Sequence, residues 1–138
     1  MSAKCFIDSN VFVSLFDDTD PTKRQRAEAL TQQALQEGSA CISYQVVQET
    51  LNVVIRKLNG TAEDARLLLL RVLAPLWQIN PTPVLYERSL ELRTRYQFSF
   101  YDSLIISAAL EAGCKTLYSE DLQHGQIIGQ LTIVNPFV

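Results

Sequence analysis

Five carboxylates stand where a parallel β-sheet would collect them. Asp8 directly follows a short apolar run at residues 4–7, and Glu120 and Asp121 follow another at 116–118. Asp102 comes three residues after Ser99, and Glu49 lies in the second turn of a helix that Ser43 can cap. Helices that begin at the carboxyl end of a parallel sheet hold their first turns over the same edge, so Asp8, Glu49, Asp102 and Asp121 could converge although far apart in sequence. Carboxylates brought close raise one another's pKa and cannot all ionise without a cation. Oxygen-only ligation, with no histidine or thiolate nearby, suits Mg²⁺ or Mn²⁺, which keep several waters and bridge to phosphate oxygens. The chemistry suggested is metal-assisted phosphodiester hydrolysis.

Each acid also has an ordinary structural role. Asp102 favours a helix amino terminus by charge alone. Asp8, Glu120 and Asp121 could be solvated turn residues. Glu49 is more telling: it lies among Val46, Val47 and Leu51, close to an apolar face where an unpaired acid costs free energy unless it meets a ligand. His124, before Gly125, reads as a turn residue, since no Ser or Cys nucleophile has a spacing that recruits it. The basic groups Lys23, Arg24 and Arg26, Arg56 and Lys57, and Arg93 and Arg95 could touch phosphates but also resemble solvated helix faces. Phosphate-binding glycine loops, a G-x-S-x-G elbow and an H-E-x-x-H helix are missing, which excludes the activities those motifs carry.

The elements needed to position the acids are legible as an alternation of strands and helices. Strands are predicted at residues 4–7, 40–43, 76–80, 116–118 and 131–134. A short apolar helix is expected at 11–16. Asp20-Pro21 opens a helix that Gly38 ends, and a third helix runs from Ser43 to Asn59-Gly60 on Val46, Val47, Leu51, Val54, Ile55 and Leu58. Thr61 with Asp64 resembles a capping box, opening a leucine-rich helix that Pro75 closes. Thr82-Pro83 begins a helix to Tyr96 on Leu85, Leu90 and Leu92, and Ser99 caps one through Ala112. No hairpin signal is read. The pattern implies right-handed βαβ units and an α/β fold: a three-layer α/β/α sandwich around a mainly parallel sheet.

The chain has 138 residues, 47% hydrophobic and 20% charged, with a net charge of −3. These values exclude disorder and fibrous architecture and predict one globular domain over residues 1–138. No apolar run approaches membrane-helix length and no secretory leader is read, so a cytoplasmic protein is expected. Cys5, Cys41 and Cys114 are odd in number and widely spaced, and read as buried thiols. The apolar stretch at 67–70 with Leu73 and Leu76 is core or a partner interface.

Four segments in order carry a family resemblance: FIDSNVF (6–12), SYQVVQETLNVVIRKL (43–58), FSFYDSLIISAALEAGC (98–114) and LYSEDLQHGQ (117–126), before a closing IVNPF (133–137). Together they resemble the PIN-domain family over essentially the whole chain. The resemblance implies an α/β/α metal-dependent ribonuclease, with many small relatives being VapC-type toxins. Asp8, Glu49, Asp102 and Asp121 match the family's acids. Asn10 and Ser119 match polar positions that orient them, and Glu120 matches an extra ligand. It further implies one or two Mg²⁺ or Mn²⁺ ions, a single-stranded or structured RNA substrate, a homodimer, and an antitoxin partner covering the acidic groove. Two alternatives stand beside this reading. One is a PIN scaffold that binds RNA or protein without cutting. The other is a receiver-like phosphoacceptor domain, for which residues 76–80 supply no strand-ending Asp.

Overall fold

Side-chain caps start the helices at the positions the sequence marks. In the computed structural model, which describes residues 4–57 and 60–138, Asp20 accepts the Lys23 N–H at the head of α2 (Pro21–Glu37). Ser43 does the same for Val46 in α3 (Tyr44–Arg56), Thr82 for Leu85 in α6 (Pro83–Tyr96), and Ser99 for Asp102 in α7 (Phe100–Glu111). Each such bond satisfies a helix amide that has no intrahelical partner, and losing one costs about 1 kcal/mol. Thr61 and Asp64 form the reciprocal box that opens α4 (Ala62–Leu68).

The short first helix, α1 (Ser9–Val13), starts immediately after β1 (Cys5–Ile7) and tightens into a 3-10 turn at Ser14–Phe16. Val11 and Phe12 are fully buried and pin it to the core, each contributing roughly 1.5–3 kcal/mol. At the other end of α3, the helix stops at Arg56, before the predicted Asn59-Gly60; Leu58 and Asn59 lie outside the described residues. The Gly60 N–H donates to the Val54 carbonyl at 2.9 Å, and a Cβ at Gly60 would stand 2.5 Å from a Val54 methyl carbon. Only glycine allows that return.

Six strands form one sheet in the order β3-β2-β1-β4-β6-β5, where β2 is Ala40–Ser43, β3 Trp77–Ile79, β4 Thr116–Tyr118, β5 Ile127–Ile128 and β6 Leu131–Val134. All pairings are parallel except β5 with β6. Helices flank the sheet, α1 packing on α3 and α6 on α7, to give the α/β/α sandwich. Phe6, Ile7, Ile42, Leu117 and Ile133 are fully buried, as expected of strands covered on both faces. From β1 the chain moves to one side through β2 and β3, then returns to β1's other side with β4. The crevice outside the carboxyl ends of β1 and β4 is therefore the topological switch point, where α/β sheets place their sites.

Three details depart from the sequence reading. The leucine-rich helix ends at Leu76, one residue past Pro75, but it is not uniform: α4 widens into a π turn at Leu69–Leu73 before α5 (Ala74–Leu76). Pro75 cannot donate to residue 71 and its ring crowds that carbonyl, and the wider turn upstream accommodates both. Second, β5 and β6 do form a hairpin, with Ile128 opposite Leu131 across Gly129-Gln130 and Gly129 at φ 60°. Third, Leu90 and Ile55, placed on apolar faces by spacing, are 54% and 51% exposed. The three cysteines are free thiols, with Cys41 and Cys114 buried and their sulfurs 3.8 Å apart, and Cys5 half-buried. No helix among the described residues is long and apolar enough to cross a membrane.

Candidate functional site

Asp8 is the fixed point of the switch-point crevice. Its backbone N–H donates to the Tyr118 carbonyl (2.9 Å), which locks the end of β1 to the end of β4. Its Oδ1 accepts the Ser9 N–H at 2.7 Å and so caps α1. Oδ2 accepts from the Ser119 hydroxyl at 2.8 Å and from Asn10 Nδ2 at 3.3 Å. The residue is only 6% exposed. Burial pushes its carboxyl up from the ordinary 3.8 to about 6; the bonds from Ser119 and Ser9 oppose that rise, and the charges of Glu49 and Asp121 add to it.

Two of the other acids, Glu49 and Asp121, connect to Asp8 through neutral side chains. Ser9 Oγ lies 3.4 Å from Asp8 Oδ1 and donates to Glu49 Oε1 at 3.3 Å. Glu49 Oε2 accepts from Gln45 Nε2 at 3.4 Å, one helical turn earlier on α3. The half-buried Glu49 carboxyl is also raised, chiefly by burial; the bonds from Gln45 and Ser9 lower it, and repulsion from Asp102 and Asp121 raises it. Asn10 Nδ2 reaches Asp121 Oδ2 at 3.2 Å and Ser119 Oγ at 3.2 Å, while the Asn10 Oδ1 accepts the Glu120 N–H at 3.0 Å. Asp102 holds its place through its backbone N–H, which the Ser99 cap accepts at 3.1 Å. Among the described residues its carboxylate makes no hydrogen bond or ion pair.

Asp8, Glu49, Asp102 and Asp121 thus lie at one edge: Asp8 feels the charges of Glu49 and Asp121, Glu49 those of Asp102 and Asp121, and Asn10 and Ser119 bridge Asp8 and Asp121. Glu120 behaves differently. Its carboxylate pairs with Lys23 on α2, whose ammonium also stands 5.0 Å from the centre of the Phe137 ring. Ser9 and Gln45, which sequence reasoning missed, bond to these acids; their places next to Asp8 and four residues before Glu49 become informative only once β1 and α3 are packed together. His124 Nδ1 accepts the Asn135 N–H at 2.9 Å, a turn role in keeping with its spacing.

Among the described residues, no group of three or more His, Cys, Asp or Glu side chains is gathered tightly enough to hold a metal ion. The donor chemistry nonetheless fits a hard divalent cation. The groups are oxygens alone, two of them are raised by burial and by the charge of neighbouring acids, and none of the four acids pairs with a Lys or Arg among the described residues.

The fold is a mostly parallel α/β/α sandwich with acidic side chains gathered at its switch point. Residues 5–127 match the PIN domain, and the chain belongs to that family. No curated protein matches the sequence. Solved structures with the same fold include VapC20 of Mycobacterium tuberculosis, described as a sarcin-ricin loop cleaving toxin, at 20% identity and TM-score 0.64 over 86% of this chain and 90% of that one. A toxin-antitoxin complex from Klebsiella pneumoniae aligns at 20% identity and TM-score 0.69, covering 96% and 98%. FitAcB from Neisseria gonorrhoeae aligns at 17% and 0.63, covering 96% and 98%.

Proposed function

We propose that the protein is a metal-dependent endoribonuclease that hydrolyses phosphodiester bonds in single-stranded RNA, with Asp8, Glu49, Asp102 and Asp121 holding one or two Mg²⁺ or Mn²⁺ ions. The observation that carries this reading is the linked pair Asp8 and Glu49. Both carboxyls are raised by burial, they share Ser9, and neither has a cationic partner among the described residues. Bound there, a divalent ion supplies Lewis acidity, acidifying water and offsetting charge that builds on the phosphate.

The chain's own residues supply position. Ser119 and the Ser9 amide fix the two Asp8 oxygens, so the carboxylate cannot rotate without losing a bond. Asn10 spans Asp8 and Asp121 with one amide nitrogen, holding two strand-end acids at a set spacing. Such supporting hydrogen bonds typically govern metal affinity or activity by 10–100-fold. By analogy with the toxin and toxin-antitoxin structures of the same fold, we place the protein as the toxin of a toxin-antitoxin pair; the family resemblance further implies a homodimer and an antitoxin that holds it inactive. A second reading, a silent PIN scaffold that binds RNA or a protein without cutting, is favoured by the spread of the four acids.

The deciding experiment is cleavage of an end-labelled single-stranded RNA pool with Mn²⁺, Mg²⁺ or chelator, with Asp8→Asn and Asp102→Asn alongside. Metal-dependent cutting lost in both variants is the expected result. Absence of cutting by wild type with either metal, or equal cutting by the variants, would sink the nuclease reading.

A further inference from the structure

Beside the acids lies a cavity of about 130 Å³ that the nuclease reading does not use. Tyr44, Tyr86 and Tyr101 share its walls with aliphatic side chains, Gln45, Gln48 and Asn80 are its amides, and no charged side chain lines it. All three tyrosines keep substantial exposure, Tyr101 most at 65%. The cavity adjoins the site: Gln45 Nε2 donates both to Glu49 Oε2 (3.4 Å) and to the Tyr101 carbonyl (3.1 Å), and Tyr101 immediately precedes Asp102.

Its occupant must be flat, neutral and able to exchange hydrogen bonds at an edge. Aromatic side chains favour stacking, the Gln48 amide and Asn80 Nδ2 can donate while Gln45, whose Nε2 is already bonded, accepts through Oε1, and the lack of charge disfavours a phosphate or an acidic peptide. The size is restrictive as well, since an apolar cavity of about 150 Å³ accepts a single benzene ring. We propose that this cavity receives one unpaired, single-ring base of the RNA strand, stacked on Tyr101 and recognised at its edge by the amides of Gln45, Gln48 and Asn80. The inference rests on the ribonuclease reading and deepens it: a base seated here registers the strand so that its phosphate lies over the neighbouring acids.

The only tryptophan supplies a probe. Trp77 packs against Tyr44 with ring centres 5.9 Å apart, so occupancy of the cavity alters its surroundings. Binding of a short oligouridylate is followed by Trp77 fluorescence in chelator, where no metal-dependent cutting occurs, beside the same oligonucleotide carrying one abasic sugar. The uridylate is expected to change the emission and to bind roughly tenfold tighter than its abasic counterpart. Tyr101→Ala removes that advantage and Tyr101→Phe keeps it; neither endangers the fold at so exposed a position. Equal binding of the two oligonucleotides, or an unchanged preference in Tyr101→Ala, overturns the proposal. So does conversion of a dimer to a monomer by Tyr101→Ala, which would assign this face to a second copy of the chain. Because the measurement needs no cleavage, base-dependent binding without any cutting would sink the nuclease alone, and cutting without base-dependent binding would sink only the cavity assignment.

Discussion

Asp8 and Asp102 belong to the same acidic edge and are held by opposite means. Asp8 is buried, and both its oxygens accept hydrogen bonds from Ser9, Asn10 and Ser119. Asp102 is anchored by its amide alone, and its carboxylate has no partner among the described residues. The strand-end acid is therefore built into the fold at an energetic cost, while the helix-borne acid can reorient at little cost. A site made this way keeps one rigid reference and one adaptable arm.

The largest test of the contrast is pH. With the native carboxyl of Asp8 near 6 against 3.8 when unfolded, the folded state binds its proton more tightly. Stability is then greatest below about pH 4 for this group and falls as pH rises toward 6, by on the order of 3 kcal/mol. Glu49 adds a change of the same sign. Thermal melts of metal-free protein between pH 4 and 8 should show this decline. Asp8→Asn should flatten it, melting no lower than wild type at pH 8 and lower at pH 4. A collapse of Asp8→Asn at both pH values would make Asp8 a framework residue.

Metal should reverse most of that cost. At a concentration a hundred times its Kd, Mg²⁺ or Mn²⁺ should stabilise wild type by about 2.7 kcal/mol, read as a rise in Tm that Asp8→Asn abolishes. An unchanged Tm together with no heat of binding in calorimetry would count against a cation at this edge.

Ser119→Ala probes the rigid half more finely. Losing the 2.8 Å bond to a buried carboxylate should cost about 1–2 kcal/mol and move Asp8's titration further upward, measurable by carbon NMR of the carboxyl. Cleavage should fall in parallel. If Ser119→Ala leaves the titration in place, the hydroxyl is not what positions Asp8.

The smallest effect is expected at Asp102. Asp102→Asn should change stability by less than about 1 kcal/mol, the scale of its charge at the start of α7, while removing metal-dependent cutting, since among the described residues the carboxylate makes no hydrogen bond or ion pair. A loss of several degrees in Tm would erase the distinction between the two acids.

Helix starts were legible because capping is local chemistry. Asp20-Pro21, Thr82-Pro83 and the Thr61–Asp64 box each act within four residues, and all three open helices as marked. What the sequence concealed depended on distant or cooperative contacts. Glu120 stands beside Asp121 in the chain, yet Lys23, 97 residues away, draws its carboxylate to α2. Pro75 marks the helix end to within a residue, but the π turn before it gives no local signal. The hairpin escaped notice because β5 is two residues long, although Gly129 before Gln130 is a turn signal. Within the site, the acids could be read from their places after strands and caps. Ser9 and Gln45 could not, because a serine and a glutamine become bridges only once β1 and α3 are packed together.

The two margins of the sheet bear on how the protein behaves when crowded. One is the two-residue β5, folded back on β6, and the other is the three-residue β3, which leads into Asn80-Pro81. Strands this short expose few unpaired backbone groups, so neither margin offers a long template on which another chain could extend the sheet. Growth into fibres by edge pairing is thereby disfavoured, and stable self-association falls to helical surfaces, where side-chain shape selects the partner.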